Sequence, residues 1–144
     1  MQKVDCIVVG AGPAGSACAL ALARKGIRTV LLERGRDSGE KNMASFVLFT
    51  NVLKTIIPDF QKDAPLERIA SDTSLVLLHD KDFIEARMRS HAHYENPVAY
   101  TAFRSKFDRW FAKQAEKAGA ELIRGMNVTG LIKKRQGIGN PGWR

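Results

Sequence analysis

The sequence predicts an α/β fold with a parallel sheet, and three observations predict it. An apolar run, Val4-Asp5-Cys6-Ile7-Val8-Val9, passes at once into Gly10-Ala11-Gly12-Pro13-Ala14-Gly15. An alanine-rich stretch follows and closes at Lys25-Gly26, with Ala19 and Ala23 spaced to give a helix one small-residue face. A second apolar run, Thr29-Val30-Leu31-Leu32, then ends on Glu33. Strand, tight turn, helix and strand in this order form a βαβ unit.

The turn carries the chemistry. In a G-x-G-x-x-G turn, Gly10 permits the sharp exit from the strand, Gly12 lets a pyrophosphate approach the backbone, and Gly15 lets the helix lie close on the strand. The helix N-terminus presents free N–H groups and a positive dipole end to the phosphates. Glu33 stands 18 positions after Gly15, close to the roughly 20 at which an acid accepts hydrogen bonds from ribose hydroxyls. A carboxylate there repels a 2'-phosphate, which disfavours NADP.

The 144-residue chain, 44% hydrophobic, suits one domain and is short for two. Its net charge of +8 comes from scattered Lys and Arg without a basic stripe interleaved with aromatics, which argues against nucleic acid. Cys6 and Cys18 lack C-x-x-C spacing and read as small core residues. Asp5 and the Gly-Pro-Ala-Gly interruption argue against a signal peptide, so the expected location is cytoplasmic. No apolar run approaches the roughly 20 residues that span a bilayer, which restricts membrane contact to the periphery.

Beyond Glu33, residues 34–42 form a polar loop at the carboxyl edge of the sheet, readable either as a ligand-facing segment or as a solvated surface. Apolar positions 46, 49, 52, 53, 56 and 57 predict a helix from Phe46 to Ile57, ended by Pro58. Asp59 to Arg68 reads as a charged connector. Leu75 to Leu78 predicts a strand that pairs with Asp82 to Arg89 as a hairpin. His91-x-His93 has only His79 as a further histidine and no well-placed carboxylate, so no metal site is expected. Val98 to Phe103 predicts a strand, and Arg104 to Gly119 a helix with Phe107, Trp110, Phe111, Ala115 and Ala118 on one face, Ser105-x-x-Asp108 as its cap and Gly119 as its stop. Arg104 at the helix mouth can reach a phosphate or a ribose. Ala120 to Arg124 and Asn127 to Ile132 predict two short strands.

Four blocks carry a family likeness: Val8 to Gly15; Leu32-Glu33-Arg34-Gly35 with Gly39-Glu40-Lys41-Asn42; Ile56-Ile57-Pro58-Asp59-Phe60 with Ala64-Pro65-Leu66-Glu67-Arg68; and Arg104 to Trp110. On these, the region from Lys3 to Ile132 resembles FixC-like flavoproteins, relatives of electron-transfer flavoprotein to quinone oxidoreductases and, more distantly, of geranylgeranyl reductases. The resemblance implies a Rossmann-like FAD-binding domain over residues 1–132, incomplete and with an inserted β-hairpin region, and a divergent or truncated tail over 133–144. It implies FAD as cofactor, with Gly10, Gly12 and Gly15 at the pyrophosphate, Glu33 on the adenosine ribose, Lys41 and Asn42 towards the flavin, Arg104 on the adenosine half and the Val128 backbone beside the adenine, and with Pro13, Ala14 and Arg34 also among the cofactor-binding residues. No catalytic side chain is implied. The partners implied are an electron-transfer flavoprotein as donor and a quinone or another carrier as acceptor.

Ser45 and Phe46 stand where relatives carry a glycine pair. Relatives also continue for several hundred residues, so an amino-terminal fragment is expected. Two other readings stay open: a non-catalytic nucleotide-binding remnant, and a geranylgeranyl-reductase-like enzyme.

Overall fold

A computed structural model of the chain describes residues 4–89 and 95–131. In order, the elements are β1 (Cys6–Val9), α1 (Pro13–Arg24), β2 (Thr29–Leu32), β3 (Ser45–Phe49), α2 (Thr50–Ile56), a 3-10 turn (Phe60–Lys62) and β4 (Leu66–Ile69). They continue with β5 (Asp72–His79), β6 (Asp82–Arg89), β7 (Ala99–Phe103), α3 (Arg104–Lys117) and β8 (Glu121–Ile123). Three sheets result: parallel β1-β2-β8, antiparallel β3-β7-β4, and the hairpin β5-β6. The expected α/β architecture, with its βαβ unit and its hairpin, is the one observed.

β2 lies at the centre of the parallel sheet and its Thr29, Val30 and Leu31 are buried, which explains a continuous apolar run in place of an alternating one. α1 packs on both β1 and β2, and also on α3. Small residues permit this double contact: Ala19 on α1 and Ala112 and Ala115 on α3 are buried in the core formed with Leu20, Leu31 and Phe107. Gly26 and Gly119 end α1 and α3 with φ of +74° and +106°, a left-handed conformation that glycine adopts without strain.

Phe107 anchors the aromatic part of the core, with Phe46, Trp110 and Phe111 around it at ring-centroid distances of 5.3, 5.4 and 5.7 Å. The buried positions predicted on this helix, Phe107, Trp110, Phe111 and Ala115, all face inward, while Ala118 is half-buried. The hairpin β5-β6 exposes Leu75, Leu77, Leu78, Phe83, Ile84 and Met88, and Asp72 at its open end pairs with Arg89 at 3.0 Å.

Several expectations are corrected. Residues 46–57 are not one helix: Ser45–Phe49 is a strand whose Phe46 and Leu48 turn inward, and the helix begins at Thr50. The apolar positions fit a helical period over the whole segment, but five-residue pairing with β7 fixes the first part as extended. Leu66–Ile69, expected in a connector, adds to the other edge of β7. α3 starts at Arg104 after Phe103 as N-cap, so Ser105 and Asp108 lie inside the helix and do not cap it. Cys18 is exposed, because α1 buries the side that carries Ser16, Ala19 and Leu20. Residues 127–131 form no strand. His91, His93, Ile132 and the tail at 133–144 lie outside the described residues.

A Cβ built on Gly15 would stand 1.9 Å from the Gly10 carbonyl oxygen and 3.4 Å from a Val8 methyl. Gly15→Ala should therefore push α1 off β1 and lower stability by about 1–3 kcal/mol, read as a lower midpoint in urea. An unchanged midpoint would contradict the close packing.

Candidate functional site: a polar cleft at the carboxyl edge of the parallel sheet

β1 and β2 run parallel and end side by side, and the Gly10 N–H donates to the Leu32 carbonyl at 2.7 Å to continue the ladder by one step. Gly10 then turns with φ +96°. Gly12 is the N-cap of α1, with no side-chain cap, and Pro13 takes the first helical position. Pro13 is half-buried and Ala14 exposed beside it. The N–H groups of the first turn have no intrahelical acceptor and meet the positive end of the helix dipole. A Cβ on Gly12 would find nothing within 4 Å, whereas one on Gly15 would strike the strand. Open space thus lies where an anion would approach and tight packing lies behind it, which suits a pyrophosphate.

Glu33 is held at the centre. Its Oε2 accepts from the Ala11 N–H at 2.9 Å and its Oε1 from the Gly35 N–H at 2.7 Å. Each carboxylate oxygen keeps a further lone pair for a hydroxyl donor. Two clefts meet at this residue. One, of about 160 Å³, is lined by Gly12, Glu33, Arg34, Lys41, Asn42 and Asp108 among others. The second, of about 290 Å³, is lined by Gly10, Leu32, Glu33, Arg34, Asn127 and Val128 among others. Of the residues singled out from the sequence, Gly10, Gly12, Glu33, Arg34, Lys41, Asn42 and Val128 line these clefts, while Pro13, Ala14 and Gly15 follow in the first turn of α1 and, like Arg104, line neither.

Arg104 directs its guanidinium at Asp108: Nε and Nη2 donate to Oδ1 and Oδ2, each at 3.0 Å. Those hydrogen bonds raise the guanidinium above its ordinary pKa, and it lies over the Phe46 ring at 5.8 Å. It adjoins the first cleft only through Asp108. Arg34 and Lys41 have no ion pair among the described residues and are the cations that line the cleft.

Sequence reasoning missed three groups. Gly35 is buried, and its N–H holds Glu33. Gly39, with φ +78°, fits against the Arg104 carbonyl and the Asp108 Cβ, which a methyl group would meet at 2.8 and 2.9 Å. Asp37 binds Arg109 at 2.5 Å and Arg124 at 3.6 Å, tying the loop to α3 and to the end of β8. The two glycines in so short a loop were the available signal. Among the described residues no group of three or more His, Cys, Asp or Glu could hold a metal ion, and no helix is long and apolar enough to cross a membrane.

The family described as "FAD dependent oxidoreductase" matches residues 5–73, which contain the glycine turn, Glu33 and the loop after it. The chain is 40% identical over 137 residues to Protein FixC of Azorhizobium caulinodans, covering 94% of this chain and 32% of that protein. It is 39% identical over 135 residues to Protein FixC of Escherichia coli K12, covering 90% of this chain and 31% of that one. The chain is thus similar to FixC proteins over 90–94% of its own length. It spans about a third of the length of the FixC proteins it matches. Among solved structures, a geranylgeranyl bacteriochlorophyll reductase-like protein from Thermoplasma acidophilum superposes with a TM-score of 0.75 at 27% identity, over 94% of this chain and 33% of that one. The myxobacterial chondrochloren halogenase shares the fold, with a TM-score of 0.67 at 22% identity over 87% of this chain and 29% of that one.

A side chain added at Gly12 would fill the space in front of α1 without touching protein. Gly12→Val should thus abolish binding of ADP, followed by calorimetry, while circular dichroism shows unchanged helix content. Undiminished affinity would remove the turn from the site.

Proposed function

We propose that the chain holds FAD and serves a FixC-class oxidoreductase. The observation that carries this reading is the junction of two clefts at Glu33, because a dinucleotide needs a continuous path for its base, ribose and pyrophosphate. On this reading the adenine lies beside the Val128 backbone and the ribose hydroxyls donate to Glu33. The pyrophosphate lies over Gly12 at the α1 N-terminus, between Gly10, Pro13, Ala14 and Gly15. Arg34 and Lys41 offset its charge, with Arg104 contributing positive potential from behind Asp108. Lys41 and Asn42 face the flavin half. When bound, the flavin supplies the redox chemistry. The chain's own residues bind and orient it, and no side-chain acid or base is required of them.

The FixC likeness further supports an electron-transfer flavoprotein as donor and a quinone or another carrier as acceptor; the location that goes with this reading is the cytoplasm, with peripheral membrane contact. Residues 1–132 would form the cofactor-binding unit, and 133–144 a tail outside it. The superposition on the reductase-like protein favours a second reading, reduction of a prenyl chain by the same bound flavin.

ADP should bind more tightly than 2'-phospho-ADP by about fivefold, since like unit charges about 4 Å apart in water repel by about 1 kcal/mol. Preference for the phosphorylated ligand in a calorimetric titration would overturn the Glu33 assignment. For the donor, the FAD-loaded chain should speed the reduction of a soluble quinone by reduced electron-transfer flavoprotein, followed in the ultraviolet as the donor flavin is reoxidised, over the rate with the cofactor-free chain. Equal rates would remove that partner.

A further inference from the structure

Asp108 is fully buried, yet it belongs to the floor of the cleft beside Gly12. A buried carboxylate is unfavourable unless its oxygens are engaged, and here three N–H donors engage them. Arg104 supplies two of these, and the third is the Asn42 amide, whose Nδ2 donates to Oδ2 at 3.1 Å across 66 positions of sequence. The carboxylate is acceptor-only, so it dictates which end of the amide turns towards it. Nδ2 faces Asp108, and Oδ1 is left as an acceptor.

The surroundings fix the rest of the loop to α3. The Arg104 N–H donates to the Ala44 carbonyl at 3.0 Å, the Asn42 N–H to the Gly39 carbonyl at 2.9 Å, and Asp37 pairs with Arg109. Asn42 itself is half-buried and lines the cleft with Gly12, Glu33 and Lys41. Among the described residues its Oδ1 accepts no hydrogen bond.

We propose that Asp108 is a positioning residue for the cofactor: by anchoring the Asn42 amide through Nδ2, it presents Oδ1 to the cleft as an acceptor for a hydroxyl of the bound dinucleotide. The inference rests on the FAD reading above. Arg104 acts on the ligand indirectly, by holding the Asp108 carboxylate in a single orientation through its two hydrogen bonds. The role differs from that of a structural salt bridge, because the part that matters to the ligand is which way a neighbouring amide points.

The test is a double-mutant cycle on the full chain, with FAD affinity read by calorimetry and the melting temperature of the ligand-free protein read beside it. Asn42→Ala should weaken FAD by about tenfold, the worth of one well-made hydrogen bond. Asp108→Asn should weaken it to a similar degree, and the double variant no more than the weaker-binding single, since both changes remove the same oriented acceptor. A purely structural role predicts a lower melting temperature with losses in affinity that multiply, and that outcome overturns the proposal. Unchanged affinity in both single variants also overturns it. Should Asp108→Asn fail to fold, Asn42→Ala alone decides, with a tenfold loss in support and wild-type affinity against. Failure of the wild-type chain to bind either FAD or ADP would instead sink the FAD reading, and this inference with it.

Discussion

The architecture depends on one close contact, that of Gly15 against the Gly10 carbonyl. A helix that follows a strand after three residues can lie back on it only if nothing projects between them, and the absence of a single methyl group meets that condition. Once α1 is seated, its N-terminus opens at the carboxyl edge of the sheet, and the helix also packs against α3. The position of α3 then fixes Arg104 and Asp108, and through them the loop that forms the wall of the cleft.

Glu33 shows how a single carboxylate can be both structural and available. Backbone N–H groups from the glycine turn and from the start of the loop hold one oxygen each, so the group is oriented before any ligand arrives. Preorganisation of this kind reduces the ordering that binding itself must supply. The bond from Ala11 ties the turn after β1 to the segment after β2, and the one from Gly35 holds that segment on itself, so the two clefts share a hydrogen-bonded boundary.

What could be read from the sequence was what is local. The apolar run, the glycine spacing and the acid after the second run sit within 30 residues, and each follows from backbone conformation or strand period. The hairpin was equally legible, because its two strands pair with their sequence neighbours. Residues 45–49 were not, since Phe46, Phe49 and Leu53 satisfy a helical spacing while Phe46 and Leu48 satisfy an alternating one, and only a partner strand more than a third of the chain away decides between them. The site divides in the same way. Gly12 and Glu33 were visible, whereas Asp108 passed for a helix cap because its second partner, Asn42, is brought to it only by the tertiary fold. FAD in place of NAD was a matter of family likeness and of kinship with FixC proteins, not of any single residue.

β7 ends at Phe103 and α3 begins at Arg104, with no residue between them. The strand is pinned on both edges by β3 and β4, so its register sets the rotational phase of the helix as a keyed shaft sets a cam. Each helical residue turns the axis by about 100°. A single inserted or deleted codon at this junction would thus swing Asp108 out of the cleft while leaving composition, hydropathy and strand length almost untouched.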